Sequence, residues 1–264
     1  SCVGYAASVS EGELLLIKAE MVINPTYGPQ YEIREYEVLP PEDVKSIERY
    51  LSSGAIKGIG AAMASRIIRR FGEETFEIIK EAKKAGFDKI ISTSHYMDGY
   101  YEVSKPEREV WLNAINENLE KQDIGIKLYL GNEIYMSENI IEFLKEEKAT
   151  TLNDTNYVLF EMPLNAQPLN LYDIVYEMQE HKLLPILAHP ERYSFVQKQP
   201  ELIYELIQKG VLMQANYGSV IGQYGTKAQI IVKRFLENNM IHFLGSDVHR
   251  QNTIYKTIPE ALSK

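Results

Sequence analysis

The hydrophobic pattern changes character twice along the chain. In residues 1 to about 39, short extended apolar runs at Val3 to Ala7, Leu14 to Val22 and Gln30 to Val38 are split by the turn signals Ser10-Glu11-Gly12 and Asn24-Pro25-Thr26-Tyr27-Gly28, which predicts a small β-rich region. The third run alternates Tyr31 and Ile33 with Glu32 and Arg34, so one face of that sheet is expected to be wet. Three strands need a covering element to be stable. After Pro40-Pro41 the period becomes helical: Val44, Ile47 and Leu51 form one stripe, Ile56, Ile59, Met63 and Ile67 another closed by Gly72, and a further helix is predicted from Glu73 to about Ala85. From there onward, apolar runs alternate with amphipathic helical segments. The predicted strands are Lys89 to Ser92, Lys127 to Leu130, Tyr157 to Phe160, Leu184 to Ala188, Val211 to Ala215 and Ile241 to Leu244. Repeated βα units of this kind build an α/β fold around a parallel sheet.

Composition narrows the function classes. A chain of 264 residues has room for one large domain or a medium and a small one, and 45% hydrophobic with 25% charged residues excludes disordered, collagen-like and low-complexity chains. The net charge of −9 argues against a protein whose whole surface grips nucleic acid or anionic membrane, so any phosphate contact must be local. The single cysteine, Cys2, cannot form an internal disulfide, and no apolar run approaches the length of a membrane helix. A reducing, cytoplasmic compartment is expected. The first residues lack the flanks of a secretory signal and Ser1 is no initiator methionine, so the chain reads as a fragment or a processed product.

One local exception to the acidic balance lies in residues 54 to 72, which carry Lys57, Arg66, Arg69 and Arg70 and no acid. Within it, Ile56-Lys57-Gly58-Ile59-Gly60 followed by Ala64 and Ile67-Ile68 resembles the helix-hairpin-helix motif of non-sequence-specific DNA-binding proteins. Two glycines let backbone approach a phosphate, and the free amides of the next helix point at that anion. Lys57, Gly58, Gly60 and Arg66 are the candidate nucleic-acid contacts, and the bland alternative is a tight turn with a solvated basic face. Residues 1 to about 79, with Gly4-Tyr5, Ser10-Glu11-Gly12-Glu13, the Asn24 to Tyr31 turn and Tyr50 to Gly60, resemble the N-terminal region of RecD-like DNA helicases. That resemblance implies an OB-like β-rich domain followed by a hairpin. No phosphate-loop motif follows, so motor activity is excluded and DNA binding at residues 56 to 70 is what remains of this alternative function.

The βα half carries stronger chemistry. Five of its six predicted strands end within a few residues of a side chain able to bind a cation: His95 after the first, Glu133 after the second, Glu161 after the third, His189 after the fourth, and Asp247 with His249 after the sixth. In a parallel array the carboxyl ends of strands share one face, where active sites lie. A lone histidine is usually a surface or satisfied residue; the joint pattern is much harder to dismiss. Mixed imidazole and carboxylate donors suit Mn, Fe or Zn better than Mg or Ca. Ions of that kind activate phosphate esters. Arg192, in Ala188-His189-Pro190-Glu191-Arg192, stands where a guanidinium can clamp phosphate, and Arg250 beside His249 is a weaker candidate.

Residues from about 80 to 264, with Ser92-Thr93-Ser94-His95, Gly131-Asn132-Glu133, Phe160-Glu161, Ala188 to Arg192, Gly218-Ser219-Val220-Ile221-Gly222 and Ser246-Asp247-Val248-His249, resemble the manganese-dependent tyrosine phosphatases of bacterial capsule and exopolysaccharide operons, within the polymerase-and-histidinol-phosphatase (PHP) superfamily. The resemblance implies a PHP-type distorted βα barrel, a trinuclear Mn²⁺ site held by His95, Glu133, Glu161, His189, Asp247 and His249, and Arg192 on the phosphotyrosine phosphate. It also implies a metal-dependent protein-tyrosine phosphatase whose partner is the phosphorylated tail of a bacterial tyrosine kinase. That family opens with a strand bearing His-x-His and an Asp-containing loop. Here the histidines are His95, His181, His189, His242 and His249, so residues 1 to 94 have none. The expectation is therefore an incomplete barrel over residues 80–264, fewer than three ions, impaired turnover, and a fusion of two truncated genes joined near Glu77-Ile78-Ile79-Lys80, with residues 1–79 as the other part. His181 on a helix and His242 inside a strand are expected to be structural.

Overall fold

The computed structural model describes residues 2–3, 14–39, 75–249 and 254–263. The helical stripes of residues 44 to 67, the hairpin contacts Lys57, Gly58, Gly60 and Arg66, and Arg250 lie outside them. The chain divides into two compact units, Ser1–Glu77 with Glu117–Ile124, and Ile78–Asn116 with Gly125–Lys264.

The first unit holds a three-stranded sheet of β1 (Cys2–Val3), β2 (Leu14–Asn24) and β3 (Gly28–Leu39) in the order β1-β3-β2. β2 and β3 form an antiparallel hairpin. Its turn follows from the residue types: the Asn24 Oδ1 accepts from the Thr26 and Tyr27 amides at 2.9 and 3.1 Å, and Gly28 takes a φ of 73°. The face expected to be wet carries Glu20, Glu32 and Arg34, all with exposed side chains. Ile33 pairs with Ala19 and Glu35 with Lys18, so Arg34 is the extra residue of a bulge and the face parity of β3 changes there. Tyr31 is half exposed, and Arg34 bridges Glu20 and Glu32, which sit opposite each other as like charges.

The second unit carries the six expected strands: β4 (Lys89–Tyr96), β5 (Lys127–Tyr135), β6 (Tyr157–Glu161), β7 (Leu184–Ala188), β8 (Leu212–Asn216) and β9 (Phe243–Gly245). They pair in sequence order and every pairing is parallel, giving a six-stranded half-barrel. The connecting helices begin with α1 (75–84) and α2 (Lys105–Lys121), followed by α3 (Ile140–Lys145), α4 (Leu171–Glu180), α5 (Ser194–Lys198) and α6 (Glu201–Gln208). The short α7 (Tyr217–Val220), then α8 (Thr226–Glu237) and α9 (Ile254–Leu262) complete the set. No helix among the described residues is long and apolar enough to cross a membrane.

Strands covered by helices read as near-continuous apolar runs. Val158, Phe160, Leu187 and Met213 from the central strands are fully buried against Ile174, Met178, Ile203 and Leu206 from the helices. β4 and β5 run longer than predicted because polar ties replace apolar contact beyond Ser92 and Leu130. Asn132, itself buried, donates its Nδ2 to Ser94 O at 2.8 Å and accepts the Thr150 amide at 2.8 Å and the Thr150 hydroxyl at 3.2 Å on its Oδ1. His242 corrects its expected place within a strand: it precedes β9, its amide donating to Met213 O and its Nδ1 accepting from Met213 N.

Replacing Asn132 by Ala strands a buried amide and a carbonyl at once. Asn132→Ala is expected to destabilise the chain by about 2–4 kcal/mol, read as a lower urea midpoint at unchanged slope. A midpoint shift within error would refute the bridge.

Candidate metal centre

The register of β4 and β5 sets His95 directly beside Glu133. Neighbours in parallel register face the same way, so imidazole and carboxylate enter one space. The Gly131-Asn132-Glu133 motif has a local reason at each position. A Cβ on Gly131 would stand 2.9 Å from both Ile91 Cγ2 and Leu152 Cδ2, Asn132 fastens the strand ends, and Glu133 follows as the group they aim. Glu161 closes β6 with Oε1 3.0 Å from His95 Nδ1 and Oε2 3.6 Å from His189 Nε2. His189 Nε2 is also 2.9 Å from Glu133 Oε1. Donor atoms of His95, Glu133 and Glu161 all lie within 4.8 Å of one another.

The other wall comes from the segments after β7, β8 and β9. His189 adopts a left-handed conformation at φ 36°, and its amide caps the sheet by donating to Gln214 O at 2.7 Å. Asp247 is left-handed as well, at φ 49°. Two non-glycine residues in this strained region at one rim are the kind of outlier that functional sites retain. The Asp247 Oδ2 accepts from Arg192 Nη1 at 3.0 Å, Asn216 Nδ2 at 2.7 Å and Tyr224 OH at 3.3 Å. The Arg192 guanidinium also stacks 4.5 Å over the Tyr224 ring. His249 Nδ1 lies 3.4 Å from Asp247 Oδ1, and its Nε2 stands 3.1 Å from His95 Nε2 with the two rings stacked. The half-barrel thus curls until its first strand and the segment after its last meet.

Charge is held tightly. Burial works against a proton on His189, but Glu133 and Glu161 outweigh it and push its pKa up to about 9. Burial likewise opposes ionisation of Glu161, yet His189 and His95 hold its pKa down at about 2. His95 is raised, chiefly by Glu161. His189, raised the furthest, holds a proton between the two carboxylates at neutral pH.

All six expected ligands, His95, Glu133, Glu161, His189, Asp247 and His249, come together with Arg192 in this one pocket. Their chemistry fits a divalent transition metal: three carboxylates and three imidazoles, with two imidazole nitrogens facing each other at hydrogen-bond distance. His181 sits away from it at the end of α4, its Nδ1 against Glu177 O and its Nε2 3.4 Å from Lys145 Nζ. Sequence reasoning missed Asn216 and Tyr224. Asn216 ends β8, the one strand given no cation-binding terminus, and that position is the signal which could have found it. Tyr224 lies in the connection between α7 and α8 and had no such signal.

A family described as capsular polysaccharide synthesis, CpsB/CapC, matches residues 70–263. The chain is 31% identical over 176 residues to the tyrosine-protein phosphatase CapC of Staphylococcus aureus, whose assignment is itself provisional, covering 67% of this chain and 69% of that protein. It is 31% identical over 189 residues to the tyrosine-protein phosphatase YwqE of Bacillus subtilis, covering 72% and 74%. A chain from the crystal structures of YwqE from B. subtilis and CpsB from Streptococcus pneumoniae, described there as unique metal-dependent tyrosine phosphatases, superposes with a TM-score of 0.68 at 30% identity, covering 72% of this chain and 78% of that one. None of these matches supports a helicase-like reading of residues 1 to 79. The span from residue 70 to residue 263 takes in every side chain of the pocket, and the protein belongs to the CpsB/CapC family.

Proposed function

We propose that this chain is a metal-dependent protein-tyrosine phosphatase of capsule or exopolysaccharide regulation. In this reading His95, Glu133, Glu161, His189, Asp247 and His249 hold divalent ions, manganese foremost, and Arg192 binds the substrate phosphate. The observation that carries it is the meeting of the His95, Glu133 and Glu161 donor atoms within 4.8 Å at the carboxyl rim of the sheet. The named relatives are tyrosine phosphatases, and the solved ones are metal-dependent. The substrate class that follows is a phosphotyrosine protein, the tail of a bacterial tyrosine kinase being the partner implied by the family.

When bound, such ions supply Lewis-acid polarisation of the phosphoryl group and acidify a water at neutral pH. The chain's own residues do the rest. Asp247 and the Tyr224 ring fix the Arg192 plane, leaving its other N–H groups to grip two phosphate oxygens. Arg192 is a quarter exposed, within reach of an entering ester, whereas Glu133 and His189 are buried and stay behind it. With no histidine before residue 95, fewer than three ions are expected.

Purified chain loaded with Mn²⁺ is expected to retain it at a stoichiometry below three and to hydrolyse p-nitrophenyl phosphate. Glu133→Gln should lose about 10- to 100-fold in metal affinity or activity. Finding neither bound metal nor hydrolysis would overturn the reading.

Arg192→Ala should cost about a hundredfold in kcat/KM, a loss typical of a donor that stabilises developing charge, while leaving bound manganese in place. An unchanged kcat/KM would remove Arg192 from the phosphate.

Metal-free His189 carries a proton at pH 7, since its pKa is about 9, and a metal ligand must be neutral, so loading manganese should release protons. Calorimetry in buffers of different ionisation enthalpy reads this directly. In chelator, the His189 contribution to stability is complete below its ordinary pKa of 6.5 and is lost as pH rises through about 9. The Glu161 contribution is complete above 4.5 and is lost as pH falls through about 2. Melting of the metal-free chain should therefore peak between these ordinary values, and a buffer-independent heat of binding would contradict the proton inventory.

A further inference from the structure

The site as described leaves one buried ionisable group unused. Glu191 lies between His189 and Arg192 in sequence and is fully buried. Its Oε1 accepts the Asn216 amide at 3.1 Å and the Ser219 hydroxyl at 2.5 Å. Its backbone carbonyl accepts from Gln197 Nε2 at 2.9 Å. Its Oε2 has no hydrogen-bond partner among the described residues. A carboxyl group taken wholly out of water is costly, and burial raises its pKa against the hydrogen bonds from Ser219, Asn216 and its own amide that lower it.

Connectivity shows what it can do. The turn after β7 starts at a left-handed His189, and the next two residues are Pro190 and Glu191 before Arg192 emerges. The Glu191 side chain reaches over to the start of α7 and grips the residue that ends β8, Asn216. The Asn216 side chain in turn donates to Asp247, the same oxygen that Arg192 donates to. A closed circuit therefore runs from Glu191 through Asn216 to Asp247, through Arg192, and back along one peptide bond. Three separate segments, those after β7, β8 and β9, are locked at a single relative position. Within the described residues, Glu191 is the side chain that ties the turn after β7 to the start of α7.

The geometry points to Glu191 as a positioning residue: its buried carboxylate fixes the start of α7 against the turn after β7, so that Arg192 and Asp247 meet in the orientation the phosphate requires. It touches neither phosphate nor metal. This inference rests on the proposed phosphatase site for its kinetic consequence, but its structural content, a fixed Arg192, is independent of turnover.

The expected variants differ in kind. Glu191→Gln keeps an acceptor oxygen for Asn216 and Ser219, and its amide nitrogen enters a place where no bond is lost. Glu191→Ala removes both bonds, and Ser219→Ala removes one. The experiment uses the full chain and follows the side-chain ¹⁵N–¹H resonance of Arg192, assigned by its loss in Arg192→Lys, together with KM and kcat for p-nitrophenyl phosphate. Glu191→Ala should merge the Arg192 signal with those of solvent-exposed arginines and raise KM by about tenfold, the lower end of the effect of supporting partners at metal sites. Glu191→Gln should keep the wild-type signal and a KM within about threefold. Ser219→Ala should fall between them.

A folded Glu191→Ala whose Arg192 signal and KM match wild type would overturn the proposal, as would loss of active fraction with KM unchanged. Should Glu191→Ala fail to fold, the contrast between Glu191→Gln and Ser219→Ala decides, and two variants indistinguishable from wild type sink it. A wild-type chain with a fixed Arg192 signal but no hydrolysis refutes the phosphatase reading and leaves the Glu191 test intact.

Discussion

Crowding of negative charge at one rim is the constraint on which the rest of the pocket depends. Six parallel strands finish on the same side of the sheet, and the ends of β5 and β6 with the segment after β9 bring Glu133, Glu161 and Asp247 there. Like charges this close are tolerated only with cations among them. The Arg192 guanidinium beside Asp247 is one such cation, and His189, its pKa pushed up to about 9 by Glu133 and Glu161, is the other. The His189 proton is exchangeable and the guanidinium is not, so the two cationic positions of this rim differ in kind.

Much of this was legible in the chain because parallel strands advertise themselves. Their apolar runs are bounded by helical periods, and the residue just past each run falls at the rim whatever the details of packing. Hence His95, Glu133, Glu161, His189, Asp247 and His249 could be gathered from positions 154 residues apart. Strand ends were less legible. β4 and β5 extend through Ser94 and Asn132 on hydrogen bonds that a hydropathy pattern does not contain. Asn216 and Tyr224 escaped because an amide and a phenol are common residues whose importance here lies in sharing one Asp247 oxygen. Arg34 marks a bulge in the first unit that no hydropathy pattern contains, and beyond it the face parity of β3 changes.

Strain sits where the chemistry is. His189 and Asp247 both occupy left-handed backbone that costs a non-glycine residue of the order of 1 kcal/mol. Such conformations persist only if neighbours over-determine them. At His189 the amide bond to Gln214 O and the Glu191 ties do so; at Asp247 three donors to one oxygen do. The polar network is therefore what holds the His189 and Asp247 turns in shapes they would otherwise leave.

The charge count at the rim is unbalanced even with its built-in cations. Three carboxylates set against one guanidinium leave a formal excess of two negative charges once His189 has given up its proton. That excess is what makes the rim a place where added positive charge is favourable. The contact between His95 and His249 argues the same way. Their facing nitrogens are 3.1 Å apart, close enough that one proton or one cation can serve both, and they join the first strand of the half-barrel to the segment after its last. In a chain with no histidine before residue 95, these two rings provide the imidazole donors on that side of the pocket. The two rings thereby tie the first strand of the half-barrel to the segment after its last through the same nitrogens that a cation would compete for.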